Sequence, residues 1–184
     1  MIVFLDFEAS SLGKRSYPVE VAWVFEDGRE EAHLIRPAPE WTDWDEEAAA
    51  IHGISRALLV AEGEPPETVA ARMAEVLGGH DLVASAPSWD GKWLSTLLRA
   101  ARLPRHQLRL RRSRDARREC AAAMVGSRVA PEHLDRAVDE ILAAALEHAV
   151  RTPPAHRALP DAREERDRWN AVRSAAQAWL QRAG

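Results

Sequence analysis

The chain has 184 residues, 46% of them apolar and 29% charged, enough for one domain with a full hydrophobic core and unlike a disordered segment. A single cysteine, Cys120, excludes an internal disulfide and a zinc ribbon or finger, and makes a reducing cytoplasm the expected compartment. The formal net charge of −4 does not by itself point to nucleic acid, and the first apolar run, Met1 to Leu5, is far too short for a signal peptide or a membrane span.

In chain order, Met1 to Glu8 reads as a buried strand ending in acids. Tyr17 to Glu26 is rich in β-branched and aromatic residues, Asp27-Gly28 marks a tight turn, and Glu31 to Arg36 returns as the second arm of a hairpin. A short helical stretch, Asp45 to Ile51, stops at His52-Gly53. Pro65-Pro66 precedes a helix over Glu67 to Leu77, then Asp81 to Ser85 forms a short strand. Asp90 to Ala101 is an amphipathic helix with Trp93, Leu94, Leu97 and Leu98 on one side, and Gln107 to Leu110 offers a fifth short strand. From Asp115 the pattern is helical: Asp115 to Val125, Pro131 to Val150, and Ala162 to Arg182, with Pro153-Pro154 breaking the last two apart. A hairpin followed by β-α-β units implies a mixed sheet covered by helices in a single domain.

Charge is unevenly placed. Arg99 to Arg118 holds many arginines and only Asp115 as an acid. Such a block suits phosphate contacts or, equally, a solvated arginine-rich surface.

The acids are informative as a set. Asp6 and Glu8 share one strand face at the end of the first strand, where carboxylates repel and raise each other's pKa unless a divalent cation intervenes. Taken alone, such a pair is better explained by two solvated acids at a strand end, because D-x-E is a common tripeptide. Asp90 and Asp161 each have a plain reading as helix caps, and His156 as a loop histidine satisfied by backbone.

Together they run as D-x-E at a first strand, D at a strand-to-helix junction, and H-x4-D before a final helix. The segments FLDFEASSLG, LVASAPSWDGKWLSTLL and AHRALPDARE, with EAAAIHGIS between the first two, resemble the DEDDh 3′–5′ exonuclease family. That family includes the polymerase proofreading subunit, RNase T and oligoribonuclease. The resemblance runs from Phe4 to about Trp169. It implies a ribonuclease-H-like α/β fold: a mixed five-stranded sheet flanked by helices, with a helical C-terminal third.

It further implies that Asp6, Glu8, Asp90 and Asp161 ligate two divalent cations, Mg2+ or Mn2+, and that His156 is the general base. A histidine's ordinary pKa suits that role near neutrality if the ring is exposed to the site. Phe7, Ala9, Ser10, Leu12, His52, Gly53 and Ile54 would line the pocket of the 3′-terminal nucleotide, with Leu12 or Ile54 as a wedge between bases. Trp89 would either stack on a base or pack in the core, with core packing slightly preferred. The partner implied is the 3′ end of single-stranded DNA or RNA, with no membrane, and a homodimer as one arrangement. The chain departs from the family at Ser85 and Ala86, where His and Asn are usual. That departure bears on substrate preference and leaves the five metal and base positions intact. The alternative function is a catalytically weak nucleic-acid-binding or regulatory protein on the same fold.

Overall fold

The computed structural model describes residues 1–148 and 156–183. Three strands, β1 (Ile2–Ala9), β2 (Pro18–Phe25) and β3 (Glu30–Leu34), form an antiparallel meander. The β2–β3 turn uses Gly28 at φ 95, a conformation that glycine adopts without steric cost. Two short helices follow, α1 (Glu46–His52) and α2 (Arg56–Glu62), then α3 (Pro66–Leu77). β4 (Asp81–Ala84) and β5 (Leu110–Arg112) add parallel to β1 and to each other, on either side of α4 (Pro87–Ala100). The sheet order is β3-β2-β1-β4-β5, a mixed five-stranded sheet of the expected ribonuclease-H-like kind. The rest is helical: α5 (Ser113–Val125), a 3-10 turn at Pro131–His133, α6 (Leu134–His148) and α7 (Ala158–Ala183).

Alternation along β1 explains the layering. Val3, Leu5, Phe7 and Ala9 belong to the main core with Trp23 of β2, Met73 of α3 and Leu97 of α4. The opposite side of the strand reads Ile2, Phe4, Asp6, Glu8. Its apolar half, Ile2 and Phe4, packs with Val83, Ala116 of α5 and Trp169 of α7. Its acidic half lies at the carboxyl end of the strand. The helices α5, α6 and α7 bury a further small core around Val125, Ile141 and Val172.

Several expected boundaries move, each for a local reason. α2 falls where only a break after Gly53 was expected; the Ser55 side chain caps it by accepting from Leu58 N–H. α4 begins at Pro87, not Asp90, because proline suits the first helical position; Asp90 is thus a first-turn residue and not the cap. α7 begins at Ala158, not Ala162, and Pro160 is tolerated because first-turn N–H groups lack intrahelical partners anyway. Asp161 is therefore inside the helix. β5 lies at Leu110–Arg112, not Gln107–Leu110, since its register against β4 runs from Leu82↔Leu110 to Ala84↔Arg112. Pro131 opens the 3-10 turn, and α6 proper starts at Leu134. The far end of the expected Pro131–Val150 helix and the Pro153-Pro154 break lie outside the described residues.

The arginine-rich block is partly committed to internal pairs. Arg111 bonds Asp81 and Glu119, Arg117 bonds Glu165, and Arg118 bonds Asp135 and Asp139. Arg112 and Arg114 are exposed at the junction of β5 and α5.

Candidate metal centre

The carboxyl end of β1 supplies the first two acids. Parallel pairing with β4 ends at Phe4↔Val83, so the upper part of β1 has no parallel neighbour and its edge stands open. Asp90 fills that opening from the first turn of α4. Backbone N–H groups of Ala86 and Phe7 lie near its carboxylate and favour its charged form, while its Oδ2 is buried with no hydrogen-bond partner among the described residues. The first turns of α7 bring Asp161 over the acidic half of β1. Asp6, Glu8 and Asp161 each offer a carboxylate oxygen, and these lie within 4.8 Å of one another.

Electrostatics mark the same spot. Burial pushes Asp6 well above the usual carboxylate range, and Asp90, Glu8, Asp161 and Glu165 add their repulsion. Burial pushes Glu8 up to about 7, with Asp161 and Glu20 adding and Arg157 opposing. Burial also pushes Asp90 up to about 7, against the N–H groups of Ala86 and Phe7. Crowded, half-dry carboxylates are unfavourable unless protonated or bound to a cation. The donors are all oxygens, and one of them is orphaned. That set fits a hard divalent ion such as Mg2+ or Mn2+.

The residues expected around this centre divide into two groups. His156 is exposed, directly before α7, with φ 49. Leu12 is 70% exposed, and Trp89 is 39% exposed. Trp89 stacks on the buried Trp93 with Lys92 near its ring, so it is a surface ring and not the core residue preferred from sequence. Gly53 closes α1 in the left-handed region at φ 70. Buried His52 accepts from Ile54 N–H through Nδ1 at 3.1 Å. Its neutral ring, favoured by burial, therefore carries the proton on Nε2. That Nε2 lies near the Ala9 carbonyl but makes no well-formed hydrogen bond among the described residues.

The other group is buried in the fold. Phe7, Ala9 and Ile54 sit in the main core, Ile54 with 1% exposure, so Leu12 rather than Ile54 has the exposure a wedge needs. Ser10 is buried, and its Oγ accepts from Tyr17 N–H at 3.1 Å. Ser11 bonds Asp43. Both serines hold the β1–β2 loop together.

Three charged residues near the centre escaped the sequence reading. Glu20 of β2 stands opposite Glu8 and bonds Arg157. Glu165, buried one helical turn beyond Asp161, is held by Arg117 and Arg168. The signal was present for Glu20: a charged residue inside the apolar run Tyr17 to Phe25 is unusual in a buried strand.

No family model matches the chain, and no curated protein does. Solved structures of Escherichia coli exonuclease I do. A zinc-bound complex of that enzyme with single-stranded DNA is 16% identical with a TM-score of 0.68, covering 98% of this chain and 42% of that one. A complex with a dA16 oligonucleotide is 17% identical with a TM-score of 0.67, covering 98% and 42%. A complex with a dT13 oligonucleotide is 18% identical with a TM-score of 0.61, covering 97% and 40%. The likeness is one of fold, and it bears out the resemblance read from the motifs. The chain spans about two fifths of the length of these neighbours. No helix among the described residues is long and apolar enough to cross a membrane.

Proposed function

We propose that this chain is a divalent-metal-dependent 3′–5′ exonuclease that acts on single-stranded DNA or RNA and releases nucleoside 5′-monophosphates. The observation that carries the reading is the meeting of Asp6, Glu8 and Asp161 within 4.8 Å, beside the orphaned oxygen of Asp90. Carboxylates pushed toward neutrality at a strand terminus mark a functional site.

Asp6, Glu8, Asp90 and Asp161 would hold the cations. Two divalent ions, when bound, stabilise charge on the attacking and leaving oxygens of a phosphodiester and ease deprotonation of the attacking water. His156 takes the water's proton; its exposure before α7 leaves the ring accessible. Leu12 and Trp89 offer apolar surface to the last bases.

The test is a 5′-labelled single-stranded oligonucleotide incubated with Mg2+ or Mn2+. DNA comes first, because the exonuclease I neighbours were solved with it. Shortening from the 3′ end that disappears in Asp6→Ala and His156→Ala is the expected result. Binding without shortening, unaffected by Asp6→Ala, would overturn the enzyme reading and leave a nucleic-acid-binding protein.

A further inference from the structure

We infer that Glu20 and Arg157 form a positioning pair that sets the turn carrying His156; the inference rests on the exonuclease reading above. Glu20 lies between Val19 and Val21 in β2, an interior strand of the sheet, and is only 4% exposed. A buried carboxylate persists only when its oxygens are engaged. Here both are. Arg157 Nη2 donates to Oε1 at 2.6 Å, Arg157 Nε donates to Oε2 at 3.0 Å, and Ala158 N–H donates to Oε2 at 2.9 Å.

The fork fixes the plane of the guanidinium, and the amide bond fixes the first residue of α7. Two consecutive residues are thus tied to the sheet, and the residue before them is His156. His156 has φ 49, a left-handed conformation that non-glycine residues adopt rarely, so the turn depends on ties outside itself. The anchor is also next to the acids: Glu20 pairs directly across the strands with Glu8, and Arg157 lies close enough to Glu8 to oppose the rise in its pKa. One strand-to-strand register therefore locates both the cation ligand Glu8 and the anchor of the base. Glu20 and Arg157 act through His156 and are positioning residues, not catalytic ones.

The test is a double-mutant cycle on the full chain. Glu20→Gln keeps the volume and an acceptor for Ala158 N–H but breaks the ionic fork. Arg157→Gln breaks the same fork from its half-exposed side and carries the test should Glu20→Gln not fold. For each, alone and combined with His156→Ala, kcat and KM are measured on a single-stranded oligonucleotide with Mn2+, and Mn2+ affinity by calorimetry. Each single variant is expected to lower kcat about 10–100-fold. KM and Mn2+ affinity should stay within about twofold, and the residual rate of His156→Ala should fall no further. Equal losses in both backgrounds, a matching loss of Mn2+ affinity, or no loss would overturn the pairing. An active protein whose His156→Ala keeps only a residual rate, with additive losses, sinks the pair alone. An inactive parent, or a fully active His156→Ala, sinks the exonuclease reading and the pair with it.

Discussion

Glu8 of β1 and Glu20 of β2 are direct cross-strand partners, yet they have opposite circumstances. Glu20 is neutralised by the Arg157 fork. Glu8 faces Asp161 and Asp6 and is pushed up to about 7. Adjacent like charges on one sheet face are unfavourable. The chain compensates one internally and leaves the other for a ligand.

The first prediction follows from that crowding. Asp6→Asn removes a buried charge that its neighbours also repel, without changing shape. In metal-free protein at pH 8 its melting temperature should rise by a few degrees, on the order of 1–2 kcal/mol. Its exonuclease rate in Mn2+ should fall on the order of 10^3-fold. Calorimetry with a chelator, beside the oligonucleotide assay, checks both. A variant that is both less stable and still active would contradict the assignment.

The second concerns pH. Asp6, Glu8 and Asp90 have folded pKa values raised above their unfolded values. For a raised carboxyl, the folded state holds the proton more tightly. Its stabilising contribution is complete below the unfolded value, about 4, and is lost as pH rises through about 7. Metal-free protein should therefore lose stability between pH 5 and pH 8. A hundredfold excess of Mn2+ over its Kd at pH 8 should restore about 2.7 kcal/mol, or roughly 5–10 °C. The same test at pH 5 should restore much less, because the ligands must shed protons. Equal metal-induced shifts at both pH values would argue against the carboxylate centre.

The third concerns the surface around the centre. Leu12→Ala and Trp89→Ala alter exposed side chains and should leave the melting temperature within about 2 °C. Loss of a base-stacking surface is worth about 1–3 kcal/mol, so KM for an oligonucleotide should rise roughly 5- to 150-fold with kcat little changed. Unchanged KM in both would remove these residues from the substrate path.

The fourth separates the two parts of the arginine block. Arg112 and Arg114 are exposed, whereas Arg118 is bound to Asp135 and Asp139. Arg112→Ala with Arg114→Ala should flatten the salt dependence of single-strand binding by about 0.7 per arginine that meets a phosphate. Arg118→Ala should leave the slope unchanged. Fluorescence anisotropy across a salt series decides it, and a slope that responds only to Arg118→Ala would reverse the assignment.

The sequence alone determined the elements whose signals are local. The apolar run Met1 to Leu5 that closes on acids, the Asp27-Gly28 turn, and the apolar stripe of Trp93, Leu94, Leu97 and Leu98 are each written within a few neighbouring residues, the reach of one strand, turn or helix. The acids Asp6, Glu8, Asp90 and Asp161 were legible for a different reason: they lie in the second half of a strand or the first turn of a helix, in short motifs whose order along the chain can be read directly. Only the tertiary structure decided what surrounds them. That Ile54 is interior while Leu12 is exposed, that Ser10 is spent on Tyr17, and that Glu20 reaches across 137 residues to Arg157 all depend on which faces meet. Burial and partnership are set by packing between distant segments. A spacing rule covers one turn or one strand, so it carries no record of them.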